Sequence, residues 1–97
     1  MEVVDHQPHG WYLLREGDRY FLDVNCPLPL VDTSILLELD EAERAEYHGL
    51  GRVFVEYFAA KISYWSDRYR ARNISGVLAK AETAAIAAWR RDHPDVA

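Results

Sequence analysis

The stretch from residue 40 to residue 65 constrains the fold most strongly, because it holds the longest helical pattern in the chain. Asp40 and Glu43 have the spacing of a capping box, in which each side chain accepts a hydrogen bond from the backbone N–H of the other residue. Beyond them, apolar residues recur at steps of three and four and so share one side of a helix. These residues are Tyr47, Leu50, Phe54, Tyr57, Phe58, Ile62 and Trp65. The pattern predicts one long helix, with a break near His48 to Gly51 as the alternative, since the two glycines there weaken a helix interior.

Two runs rich in apolar and aromatic residues, residues 10–15 and 19–26, precede this helix. Gly17 and Asp18 lie between them, and such a pair is typical of the tight turn of a β-hairpin. The two runs therefore predict two antiparallel strands joined by a turn of two residues.

A turn of two residues also determines which side chains share a face of the hairpin. It places Leu13 opposite Leu22 and Trp11 opposite Val24, so these four residues lie on one face. The opposite face is less uniformly apolar, and we expect it to meet solvent or a partner. Its residues are Tyr12, Leu14, Phe21, Asp23 and Asn25.

A third strand and a second helix complete the pattern. Pro27 and Pro29 cannot donate a backbone hydrogen bond and indicate an extended connection, after which residues 34–39 predict a short strand leading into the long helix. A second helix begins at Asn73 or Ser75, either of which can cap its N-terminus. Its apolar residues again recur at steps of three and four. They are Ile74, Val77, Leu78, Ala81, Ala85, Ala88 and Trp89.

Together these elements predict an α+β fold, in which a three-stranded antiparallel β-meander is followed by two α-helices packed on one face. The 97 residues suffice for one domain with one core. We assign residues 10–93 to that domain, residues 1–9 to a flexible N-terminal lead-in and residues 94–97 to a C-terminal tail.

The composition restricts the classes of partner. A net charge of −5 and a pI near 5.2 argue against a general nucleic-acid-binding protein, which needs a basic surface to neutralise phosphates. The sequence has neither an apolar run long enough to cross a membrane nor a signal-peptide pattern, which predicts a cytoplasmic protein without a membrane partner. Cys26 is the only cysteine, so the chain cannot form an internal disulfide.

Few residues suggest chemistry. His6 and His9, beside Asp5, are suitable metal ligands, but their spacing in a coil constrains geometry weakly, so we predict no metal site and no cofactor. Cys26, at the end of a strand, is more typical of a small buried apolar residue than of a nucleophile. A carboxylate within an apolar strand, as at Asp23, can be a general acid or base, although strand alternation alone explains it.

The segment of residues 63–73, within which the long helix should end, combines positive charge with aromatic surface. Its residues are Tyr64, Trp65, Arg68, Tyr69, Arg70 and Arg72. Such a mixture can bind single-stranded nucleic acid, but the acidic charge of the rest of the chain argues against that partner. Because the long helix begins with acidic residues, two antiparallel copies would match in charge, and we hypothesise a homodimer. The alternative is that these charges pair within one chain.

The favoured function is a small non-enzymatic protein-interaction module that binds a protein partner or a second copy of itself, because aromatic residues dominate binding hot spots. The interface is expected on the outer sheet face or on the arginine-rich segment. By size and charge alone, the chain is of the kind that neutralises or regulates a basic protein, as bacterial immunity proteins do. The alternative is a small enzyme or ligand-binding protein with a pocket between sheet and helices that uses Asp23, Cys26 or His48.

Overall fold

The computed structural model describes residues 1–8, 10–27 and 32–94, with side chains at all of these positions except 27, 32 and 33. The strands are β1 (Glu2–Gln7), β2 (Trp11–Glu16), β3 (Arg19–Pro27) and β4 (Asp32–Glu38). The helices are α1 (Glu41–Leu50), α2 (Arg52–Tyr64), α3 (Ser66–Tyr69) and α4 (Ser75–Asp92), with a 3-10 helix, Arg70–Arg72, before α4. The strands form one antiparallel sheet in the order β1-β2-β3-β4. The predicted α+β class is confirmed. The predicted three strands and two helices are too few, because the described residues form four strands and four α-helices.

The hairpin of β2 and β3 has the predicted turn and register. Gly17 has a φ of 62°, a left-handed conformation that glycine adopts without steric strain. Leu13 lies opposite Leu22, and Trp11 lies opposite Val24. Turn chemistry and alternation were therefore sufficient to determine the pairing of these two strands.

Strand β1 corrects the expectation of a flexible lead-in over residues 1–9. Glu2–Gln7 pair antiparallel with β2, so most of that segment belongs to the sheet. The register shifts between Val3 and Asp5, and this bulge interrupts the alternation by which a strand is recognised in a sequence. At the other end of the chain, residues 95–97 of the expected tail lie outside the described residues.

The long helix predicted from Asp40 is broken at Gly51, so the alternative of a break is the correct one. The capping box is present, with Asp40 N donating to Glu43 Oε1 and Glu43 N donating to Asp40 Oδ1, both at 2.8 Å. Gly51 has a φ of 65° and a ψ of −139°, a combination that few residues other than glycine adopt. Its N–H still donates to Tyr47 O at 2.7 Å, which closes the last turn of α1.

Helix α2 covers the face of the sheet that the hairpin register predicted to be apolar. Its buried residues pack against the inward-facing residues of β2, β3 and β4. On the helix these are Phe54, Val55, Phe58, Ala59 and Ile62. On the sheet they include Trp11, Leu13, Leu22, Val24, Cys26, Ile35 and Leu37.

Helix α4 packs on the opposite face, so the prediction that both helices share one face is wrong. Leu14, Phe21 and Leu36 point to that second face and are buried together with Ala85 of α4. Apolar side chains on both faces of a sheet require a cover on both, because exposure costs roughly 25 cal/mol per Å² of apolar area. The chain reaches the second face along the edge of β4, where Ile74 N donates to Leu36 O at 2.8 Å.

Candidate functional site

The second face of the sheet does not present the expected binding surface. Leu14 and Phe21 are fully buried beneath α4, so the expectation that they meet solvent or a partner is wrong. Tyr12 is only partly buried and remains accessible at the edge of the covered area. The error arises because a predicted outer face becomes an inner face once a second helix packs on it.

Arg72, a predicted interaction residue, is used within the chain. Its guanidinium donates to both carboxylate oxygens of Glu43, at 2.7 and 2.9 Å, and to Glu38 O at 2.7 Å. The hydrogen bond to Glu43 raises the pKa of Arg72, and the pair ties the segment before α4 to the start of α1. For this arginine, charge pairing within one chain is the correct alternative.

The other residues of the arginine-rich segment divide into two groups. Tyr69 is partly buried, and its ring packs edge-on to Phe58 at 5.7 Å, so it belongs to the core. Tyr64, Trp65 and Arg68 are exposed, and the Arg68 guanidinium lies 4.4 Å from the centre of the Trp65 ring. Arg70 is also exposed and pairs with Asp67 at 3.5 Å.

Cys26 and His48 do not join Asp23 in one pocket. Cys26 is buried on the α2 side of the sheet, where burial raises the pKa of its thiol and keeps it protonated. His48 lies at the end of α1, with its ring 5.6 Å from that of Tyr20, which also faces α2. Asp23 points to the opposite face, because it alternates with Leu22 and Val24 along β3.

Asp23 instead meets Glu82 of α4. Burial raises the pKa of Glu82 from 4.5 to about 9, assisted by its hydrogen bond to Asp23 and by the negative charge of Asp23. Glu82 therefore keeps its proton at neutral pH, and its protonated carboxyl can donate a hydrogen bond to Asp23. Its Oε2 atom is buried, without a hydrogen-bond partner among the residues that the structure describes.

A cleft of about 220 Å³ lies beside this pair, between the sheet and the C-terminal part of α4. Asp23 and Asn25 of β3 line it together with Ser34 of β4, and the strand register places Asn25 directly opposite Ser34. Tyr12 of β2, directly opposite Asp23, and Arg90 of α4 complete the polar lining. Arg90 Nη2 donates to Tyr12 Oη at 3.0 Å and so connects the helix to the sheet across the cleft.

Aromatic rings support the cleft from the β1 side. The His6 ring lies 5.6 Å from Tyr12 and 4.3 Å from Trp89, and Trp89 stacks on His93 at 4.5 Å. Burial lowers the pKa of His6, so its imidazole is neutral at physiological pH. Over residues 1–8, 10–27 and 32–94, no group of three or more histidine, cysteine, aspartate or glutamate residues is placed to hold a metal ion. His9 lies outside this part of the chain.

Glu82, Ser34 and Arg90 were missed as site residues, and only Glu82 left a signal in the sequence. Glu82 follows Leu78 by four positions and precedes Ala85 by three, which places a carboxyl inside the covered stripe of its helix. A charge within such a stripe indicates a buried partner, and here that partner is Asp23. Ser34 lies near the start of β4, and Arg90 lies in the last turn of α4. Polar residues are common at both kinds of position, so neither one indicates a site in the sequence.

The outward side of α2 carries a second feature, a row of exposed apolar residues. Val53, Tyr57 and Tyr64 are 68%, 64% and 78% exposed, and Ala60 lies between the two tyrosines. Their spacing of four, three and four positions aligns them along one side of the helix. We call these four residues the α2 stripe.

Comparison of the chain with known protein families, with curated proteins and with solved structures found no significant match. In the described part of the chain, every helix is too short or too polar to cross a membrane. The candidate sites are therefore judged on their geometry and chemistry alone.

Proposed function

We propose that this protein is a small interaction module that self-associates through the α2 stripe. The observation that carries this proposal is the exposure of three large apolar side chains in line on one helix. Patches of this kind on a small domain mark contact surfaces. The stripe has the alternation of a coiled-coil seam, in which apolar residues recur every three and four positions.

The stripe is complementary to itself when two copies pack antiparallel. A two-fold axis that passes between Phe58 and Ala59 places Val53 opposite Tyr64 of the second copy. The same axis places Tyr57 opposite Ala60 of the second copy, so each large ring meets a smaller side chain. Large residues that face small ones allow two helices to approach closely without voids.

The charges at the two ends of this surface also favour an antiparallel partner. Glu41 and Glu46 are exposed on α1, which precedes the stripe in the chain, and Arg68 and Arg70 are exposed in the segment that follows it. Antiparallel packing brings the acidic end of one copy towards the basic end of the other. Arg72 does not contribute, because Glu43 neutralises it within the chain.

Size-exclusion chromatography with light scattering tests this proposal. We expect the protein to have twice the chain mass of 11.2 kDa and Val53→Glu to have the mass of one chain while its circular dichroism stays unchanged. Val77→Glu is the matched control, because Val77 is 83% exposed on α4, away from the stripe. A monomer at every concentration, a dimer that survives Val53→Glu, or equal dissociation by Val77→Glu would contradict the proposal.

The wider expectation, that an acidic module of this kind neutralises or regulates a basic protein, stays a prediction. It is supported by the net charge of −5. In this proposal the α2 stripe mediates self-association, and exposed acidic residues outside that contact, such as Asp18 at the turn between β2 and β3, are available to a basic partner.

A further inference from the structure

We infer that the cleft beneath α4 is a binding site for a small neutral polyhydroxylated ring, such as a single sugar or cyclitol. The cleft lies on the opposite face of the sheet from α2, so this inference is independent of the proposed self-association. It rests on which polar groups line the cleft, on their charge balance, on the neighbouring ring of Tyr12 and on the size of the space.

The lining mixes hydrogen-bond donors and acceptors in the way that hydroxyl groups require. The Asp23 carboxylate accepts, the Arg90 guanidinium donates, and the Ser34 hydroxyl can do both. Each hydroxyl of a polyol is itself both a donor and an acceptor. Neighbouring ring hydroxyls can therefore satisfy side chains of opposite preference that lie on adjacent strands.

The charges that line the cleft balance, which favours a neutral ligand. Asp23 supplies one negative charge and Arg90 one positive charge. Glu82, behind Asp23, is protonated at neutral pH because burial raises its pKa, so it adds no second negative charge. A phosphate would need additional cationic donors, and a divalent cation would need more than one ionised carboxylate.

Tyr12 supplies an aromatic surface held in a fixed position. Its hydroxyl accepts the hydrogen bond from Arg90, and its ring is packed by His6 at 5.6 Å and by Trp89 at 6.0 Å. An aromatic ring with a polar tip offers both an apolar face and hydrogen bonding. His6 stacks on this ring and the Arg90 guanidinium lies over it, 6.0 Å from its centre, so the C–H groups of a sugar or cyclitol can contact the part of the ring that borders the cleft while the hydroxyls reach the polar side chains.

The dimensions suit one ring and not a larger ligand. The cleft has a volume of about 220 Å³. This is smaller than the ~300–1,000 Å³ of pockets that hold drug-sized ligands. A nucleotide or an oligosaccharide would project into solvent, whereas one ring with its hydroxyls would fill the cleft.

Nuclear magnetic resonance of the ¹⁵N-labelled protein tests the inference, with D-glucose, D-galactose, D-mannose and myo-inositol as probes. We expect at least one of them to produce saturable shifts at the amides of Asp23, Asn25 and Ser34. Ser34→Ala and Arg90→Ala should each raise the Kd roughly tenfold through the loss of hydrogen bonds to the ligand. Arg91→Ala is the matched control, because Arg91 is exposed on the same helix and does not line the cleft.

Glycine and inorganic phosphate serve as counter-probes in the same titration. Saturable binding of either one in the absence of polyol binding would overturn the inference, since it would assign the cleft to a zwitterion or to an anion. An absence of saturable shifts with every polyol, or shifts that Arg91→Ala reduces as much as Arg90→Ala does, would overturn it as well. Retained polyol binding in Val53→Glu would show that the cleft works whether or not the protein self-associates.

Discussion

Replacing Glu82 by glutamine should stabilise the protein, and the gain should grow as the pH rises. Glutamine has nearly the same size as glutamate and can still donate a hydrogen bond to Asp23, but it has no proton to lose. In the unmodified protein, the pKa of Glu82 is raised from 4.5 to about 9. Between these two values, the folded chain retains a proton that the unfolded chain has released. The free energy of unfolding therefore falls with increasing pH through this range.

The magnitude follows from the width of that range. Each pH unit above 4.5 lowers the free energy of unfolding by at most ~1.4 kcal/mol, which amounts to about 3 kcal/mol at pH 7. Glu82 retains some contact with solvent, which reduces the effect, so we expect Glu82→Gln to gain roughly 2 kcal/mol at pH 7. Near pH 4.5 the two proteins should differ little in stability, because the carboxyl is protonated in the folded state and about half protonated in the unfolded state.

Urea denaturation followed by tryptophan fluorescence at several pH values from 4.5 to 8.5 measures this difference. Glu46→Gln, at an exposed position on α1, is the matched control. A difference between Glu82→Gln and the unmodified protein that stays constant across the range would refute the reasoning. A carboxyl ¹³C titration of Glu82 with a midpoint near its ordinary value would refute it directly.

Two further predictions concern how the chain is held together. Arg72→Ala should lower the free energy of unfolding by about 1–3 kcal/mol, because it removes the two hydrogen bonds that Arg72 donates to Glu43 and the one that it donates to Glu38 O. Arg70→Ala should change the free energy of unfolding by less than ~0.5 kcal/mol. Equal losses in urea denaturation would contradict the role assigned to Arg72. Gly51→Ala should destabilise by about 1–3 kcal/mol, because it forces a side chain into the left-handed region. Gly49→Ala should stabilise by up to ~1 kcal/mol, because Gly49 lies inside α1 and a methyl group there meets no neighbouring atom. Urea denaturation measures both glycine variants, and a gain in stability from Gly51→Ala would show that α1 and α2 can join.

The parts of the fold that the sequence predicted correctly depend on neighbouring residues. The turn at Gly17 and Asp18 sets the register of β2 and β3, and the capping box of Asp40 and Glu43 sets the start of α1. Both are decided within a few residues, so no knowledge of the tertiary structure is needed. The break at Gly51 was foreseeable only as an alternative, because glycine permits a left-handed conformation without requiring one.

The parts that could not be predicted depend on distant residues. The chain passes around the edge of β4 at Leu36, and this route decides whether α4 covers the same face as α2 or the opposite one. No periodicity in the sequence encodes the route. The pairing of Asp23 with Glu82 follows from that choice, because only a helix on the second face brings the two carboxyls together. The bulge near Val3 concealed β1 for a different reason, since it disrupts the alternation itself.

The route by which the chain rounds β4 also limits how the protein can aggregate. The outer edge of β4 is occupied by its own chain, because Leu36 accepts from Ile74 N and donates to the Asn73 side chain at 3.1 Å. The edge at β1 is interrupted by the bulge near Val3. Neither border of the sheet offers a long, regular template for an incoming strand. Growth into fibrils by strand addition is therefore disfavoured, and docking between molecules is left to the helical surfaces.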